Sequence, residues 1–158
     1  MGKGTDRPKI RGIAKWELYD KDGNLKEEGT AENEIKNLGL AECAKLSGDS
    51  LGGTAFLALA LGSDNTANDP AQTTLVAEIV TNGGERSAAT VSSQTTAVAD
   101  DTARYVHQWT FTGALTIQEV AILNNSGAAG VMLGRLIIGP VTVADGDTLN
   151  FQYDTVFG

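Results

Sequence analysis

One cysteine, one histidine, three prolines and 6% aromatic residues in 158 positions leave little material for an active site or a cross-linked scaffold. Cys43 alone can close no intrachain disulfide and no cysteine metal cage, so stability has to come from core packing or from association. It falls on the apolar side of a predicted helix, where a thiol is a packing group and not a nucleophile. His107 has no second histidine or cysteine near it, which argues against a metal site. Alternation along Tyr105-Val106-His107-Gln108-Trp109 places it on one strand face with two aromatics, as a packing residue. Cations are scarce too: 12 Lys plus Arg stand against 20 Asp plus Glu, a formal charge of −8. A nucleic-acid binder needs a dense basic face to neutralise phosphates, and this composition does not supply one. The longest apolar run, Ala55 to Leu61, is far too short to cross a bilayer. The opening residues lack the apolar stretch of a secretory signal, so the expectation is a protein made in the cytoplasm. There is no Walker loop, no dinucleotide glycine fingerprint and no Gly-x-Ser-x-Gly elbow. Asp100-Asp101 and Asp145-Gly146-Asp147 lack the ligand spacing of a calcium loop and read as solvated turns. Neither catalysis nor a cofactor is expected.

What is present is the composition of short strands joined by tight turns: nineteen glycines among many Thr, Ala, Val and Asn. A chain of this mass buries roughly two-thirds of its extended surface, enough for one core. Ile10 to Tyr19 alternates with period two, Asp20 to Asn24 is turn chemistry around Gly23, and Leu25 to Glu34 follows as a charged partner strand. Together these predict a β-hairpin over residues 10–34, exposed or at a sheet edge. Asn37 is placed to cap a short helix, Leu38 to Leu46, with Leu38, Ala41, Cys43, Ala44 and Leu46 on its apolar side. Ala55 to Leu61 reads as a buried strand. Thr73 to Ile79 fits a helical turn or a short strand equally well. Further strands are expected at Ala88 to Ser93, Arg104 to Thr112, Thr116 to Asn124, Val131 to Ile138 and Thr148 to Phe157, with Gly139-Pro140 stopping one of them. Ser87 to Thr102 is rich enough in Ser, Thr and Ala to be partly a mobile loop. The fold class is mostly β: one antiparallel sandwich of jelly-roll or Greek-key type over residues 35–158, with one helix, an N-terminal hairpin and an arm.

Charge is unevenly spread. Residues 1–16 hold Lys3, Arg7, Lys9, Arg11 and Lys15 against Asp6, a local +4, whereas the whole net excess of −8 falls in residues 37–158. Such a segment can be a solvated terminus or an arm that docks on an acidic neighbour. Trp16, Trp109, Tyr105 and Phe111 are the candidates for stacking a sugar or base, but Trp109 and Phe111 follow core spacing, which favours packing. Glu119 and Arg135 each interrupt an apolar strand. A charge in such a place needs a partner, and the two are expected to pair.

The order Ala60-Leu61-Gly62, then Thr74 to Ile79, Thr110-Phe111-Thr112, Ile117 to Asn124, Met132-Leu133-Gly134-Arg135 and Gly146-Asp147-Thr148-Leu149 resembles small tailed-phage virion proteins. Upstream, Asn33, Leu38, Gly39, Leu40 and Ala41 also resemble the stretch that precedes this module. The resemblance implies a structural protein of the virion. With the length and the basic N-terminal segment, it is most similar to capsid decoration, or cement, proteins that sit as trimers on the shell. The implied partners are the major capsid protein, two further copies of this chain and neighbouring decoration subunits reached by the arm. Lys3, Arg7, Lys9 and Arg11 would carry assembly, with Trp16 anchoring the hairpin. The alternative within the resemblance is a tail-fibre or baseplate component, whose loops at Gly62 to Gln72 and Ser87 to Asp101 would recognise a host surface. A glycan-binding module or small hydrolase is the reading outside it.

Overall fold

A computed structural model describes residues 9–158 except Asp49 and Ala128. Its strands run β1 (Ile10–Tyr19), β2 (Leu25–Ile35), β3 (Ala58–Gly62), β4 (Ser87–Ala88), β5 (Thr90–Gln94), β6 (Thr102–Thr110), β7 (Leu115–Leu123), β8 (Met132–Val143) and β9 (Thr148–Phe157), with helix α1 (Asn37–Leu46) between β2 and β3. Every pairing is antiparallel, and the hydrogen-bonded order is β4-β3-β7-β8-β2-β1-β9-β6-β5. This is the expected sandwich of two antiparallel sheets. One sheet holds β1, β9, β6 and β5, the other β3, β4, β7 and β8, and the two are joined at both margins.

At one margin β2 pairs with β1 from Leu25 to Asn33 and then with β8 through Glu34 and Ile35. It is therefore a corner strand, an edge along only part of its length. At the other margin β4 and β5 are separated by Ala89 alone, whose N–H donates to Leu57 O at 2.8 Å. The single strand expected over Ala88 to Ser93 is broken there because its two halves belong to different sheets.

The core fills the space between the sheets. Alternation puts Ala14, Trp16 and Leu18 of β1 inside, beside their cross-strand neighbours Tyr153, Phe151 and Leu149 of β9 and in one core with the inner side chains of β7 and β8. Trp16 stacks on its cross-strand partner Phe151, with centroids 6.3 Å apart and planes 9° from parallel. On its other side it pairs with Gly29, and its ring lies where a β-carbon of that residue would be. Burying one large aromatic over a glycine fills the pleat without crowding. At the seam between the sheets, Gly12 of β1 and Gly134 of β8 leave room in the same way for the Asn33 amide and the Tyr153 hydroxyl.

Four expectations change. Lys36, not Asn37, occupies the N-cap of α1, with no side-chain cap, because the Asn37 N–H is drawn to Pro70 O at 2.9 Å. The helix buries Gly39 and Glu42 and leaves Leu38, Leu40 and Leu46 exposed. It lies so close to β8 that a β-carbon on Gly39 would overlap the Leu133 carbonyl. Strand β8 runs through Gly139-Pro140 to Val143; its register against β7 jumps between Glu119↔Ile137 and Ile117↔Val141, and the proline falls in that bulge, where no ladder donor is required. Thr73 to Ile79 forms neither helix nor strand; an isolated bridge from Glu78 to Gly62 holds it.

The tight fit of Trp16 over Gly29 gives a direct test. Gly29→Val should lower the unfolding free energy by about 1–3 kcal/mol, the usual cost of overpacking a filled core, measured by urea titration. An unchanged midpoint would show that the indole is free to move aside.

Candidate functional site: a buried ionic anchor beneath a surface loop

Glu119 and Arg135 do meet, and both side chains are fully buried. Arg135 Nε donates to Glu119 Oε2 at 2.5 Å. Strands β7 and β8 bring them together because Ala121 stands opposite Arg135 and Glu119 lies two residues along on the same face. The cross-strand partner of Glu119 on β3 is Gly62, whose missing side chain leaves space for the carboxylate. Glu119 also accepts the Ala77 N–H at 2.8 Å and the Val76 N–H at 3.2 Å. Arg135 reaches the same segment with its other nitrogens: Nη1 donates to Thr66 O at 2.8 Å and Asn68 Oδ1 at 3.2 Å, while Asp64 lies 3.8 Å from Nη2.

A second buried cation joins them, and the sequence reading missed it. Lys36 has no exposed surface, and its ammonium donates to Asp69 O at 2.9 Å and to Asn68 Oδ1 and Gln72 Oε1 at 3.1 Å each. In the sequence it looks like one more charge at the end of a charged strand. The only available signal was its position immediately before a helix and next to the Asp, Asn and Pro-rich loop. Lys36, Glu119 and Arg135 thus underlie residues 63–77 and hydrogen-bond to them from inside.

Several other polar side chains also hold the architecture together. The Glu42 carboxylate is held below its ordinary range, chiefly by the Thr54 N–H at 2.6 Å and then by Lys45. Asp101 accepts the N–H groups of Thr96, Ala97 and Val98, which push its pKa far down and tie together a segment that composition suggested was mobile. Asp147 takes Lys26 at 2.5 Å and the Ala144 N–H at 2.8 Å, closing the turn before β9. His107 packs edge-on against Trp109, 4.6 Å between centroids, and burial lowers its pKa, so it is neutral at pH 7. Burial, and after it the Glu42 carboxylate, likewise raises the pKa of the half-buried Cys43 thiol. No group of three or more metal-ligating side chains occurs among the described residues.

Of the expected assembly residues, Lys3 and Arg7 lie outside the described residues. Lys9 and Arg11 are exposed at the start of β1, and Trp16 is buried in the core, not displayed on a surface. The chain matches no family model, no curated protein and no solved structure.

Two predictions follow from these contacts. Arg135→Met alone strands a buried carboxylate and should cost about 3–5 kcal/mol, whereas Arg135→Met with Glu119→Leu should restore most of it, as a urea double-mutant cycle would reveal. Independent losses of the same size would remove the pairing as their cause. The second concerns pH. Asp101 and Glu42 have folded pKa values below their unfolded ones, so their contribution is complete above the ordinary carboxylate range and is lost as pH falls through it. Tm should therefore hold near neutrality and drop below about pH 4, and Asp101→Asn should flatten that drop. A variant with the same acid limb as the parent would contradict the role given to Asp101.

Proposed function

We propose that the protein is a non-enzymatic structural component of a phage virion, a capsid decoration or cement protein that binds the outer shell as a trimer and stabilises it. The resemblance over about Asn33 to Phe157 motivates this reading, and one observation carries it: where the cations are. Residues 37–158 contain four, and each is engaged with an acid, Lys45 with Glu42, Arg86 with Glu78, Arg104 with Asp154 and Arg135 with Glu119. Lys26 is spent on Asp147. Among the described residues, the exposed cations outside any ion pair are Lys9, Arg11, Lys15 and Lys21, and all precede the hairpin turn or lie in it. The sandwich body therefore presents an acidic surface, while the positive charge available to a partner is confined to the N-terminal strand and the segment before it.

That distribution suits attachment through a basic arm laid on an acidic neighbour, whether shell or adjacent subunit, with affinity built from area and copy number. Glu42, Asp101, Asp147 and Glu119 are engaged in turns and ion pairs. Charge reversal at two of Lys3, Arg7, Lys9 and Arg11 should weaken co-sedimentation with undecorated capsids and leave the residual binding nearly independent of salt. Attachment equal to that of the parent would overturn the arm model. Failure of the parent itself to bind capsids would overturn the shell assignment.

A further inference from the structure

We propose that Lys36 and Asn68 become joined covalently: the lysine amine displaces the side-chain amide nitrogen of the asparagine and leaves an isopeptide bond between the end of β2 and the loop of residues 63–77. The proposal rests on side-chain geometry and is independent of the virion reading.

The backbone brings the two side chains together. The Lys36 N–H donates to Leu133 O of β8 at 2.8 Å, and the Asn37 N–H donates to Pro70 O at 2.9 Å. The first bond fixes the stem of the lysine against the second sheet, and the second holds the loop just beyond Asn68. Lys36 is fully buried and Asn68 half-buried. Lys36 Nζ lies 3.1 Å from Asn68 Oδ1. The amide carbon is one C=O bond of about 1.2 Å behind that oxygen, so it is at most about 4.3 Å from the amine. A small turn of the amide brings the carbon to the roughly 3–3.5 Å of a reactive encounter, and holding the groups there makes the reaction intramolecular.

Proximity alone does not choose the target, because Gln72 Oε1 is also 3.1 Å from Nζ. Arg135 makes the choice. Its Nη1 donates to Asn68 Oδ1 at 3.2 Å, while its other contacts go to Glu119, Thr66 and Asp64. The guanidinium therefore sits against the oxygen on which negative charge develops as the amine attacks. A donor fixed in that position is worth most where water is excluded, and Arg135 is fully buried. Glu119, hydrogen-bonded to Nε, holds it there.

In the step itself Nζ bonds to Asn68 Cγ while one electron pair of the carbonyl moves onto Oδ1. When that pair returns, the bond from Cγ to Nδ2 breaks. The two protons lost by Nζ leave with the departing nitrogen as ammonium, so atoms and charge balance without an oxidant or a second substrate. The product closes a covalent loop from residue 36 to residue 68, which restricts the unfolded chain as a disulfide would.

The first readout is the intact mass of the purified protein, with or without its first methionine. It should fall short of the sequence by one ammonia, and a proteolytic digest should contain two peptides joined through Lys36 and Asn68. The mass of the unaltered chain overturns the proposal. So does an ammonia loss that maps to a succinimide at Asn82-Gly83, or a link made to Gln72. Asn68→Ala should show the full mass of its own sequence, and an ammonia loss that survives this change also overturns the link. In Glu119→Leu with Arg135→Met, the linked fraction at a fixed time after synthesis should be at least about tenfold lower than in the parent. A parent-like fraction overturns the role of Arg135, and with it the reason for Asn68 over Gln72.

Discussion

The contact between Arg135 and Glu119 is the constraint on which the arrangement of the second sheet depends. Neither residue can be solvated where it sits, so β7 and β8 are held in the one register that brings them together. A slip by one residue would move both charges to the opposite face. The same requirement reaches β3, because the carboxylate needs the space that Gly62 leaves empty. It reaches the loop as well, because the guanidinium has more donors than one carboxylate can accept and the remainder must find carbonyl oxygens. One buried pair thus sets a strand register, a glycine and the path of a loop that has no secondary structure of its own.

Closure of the sandwich solves a different problem. Two open sheets would present four edges, each a row of unpaired backbone groups. By letting β2 pass from β1 to β8, and by making β4 and β5 consecutive segments about Ala89, the chain joins the sheets at both margins. The exposed remainder of β2, from Leu25 to Glu32, carries Glu28 and Glu32 on its outer face, and that charge density disfavours pairing with another copy of itself.

Much of this was legible in the sequence, and the parts that were not share a cause. The hairpin, the last strand and the Glu119–Arg135 pair could be read because their signals are local or reciprocal: alternation, a glycine turn, a charge in each of two apolar strands. Lys36 could not be read, because its burial depends on acceptors more than thirty residues away that no pattern near it announces. Helix α1 lies where it was expected, but its buried face was misread for a related reason. Its leucines are spaced as an apolar face should be, yet the neighbour it meets is a strand backbone at a distance only Gly39 tolerates, and the carboxylate of Glu42 was drawn inward by the Thr54 N–H. Pro140 misled because a proline stops a regular ladder but not a bulged one. Propensity describes the chain alone, and each of these outcomes was decided by what the chain packs against.

The same distinction bears on where the polar groups of the body are spent. His107 and Cys43 pack against their neighbours, and Arg135, Glu119 and Lys36 hold residues 63–77 to the sheet. Arg135 is balanced by the acid buried beside it, so the pair fixes the path of a loop without changing the charge of the surface. The exposed cations outside ion pairs lie elsewhere, at the start of β1 and in the turn that follows it, and the polarity of the surface is set by that outer group alone.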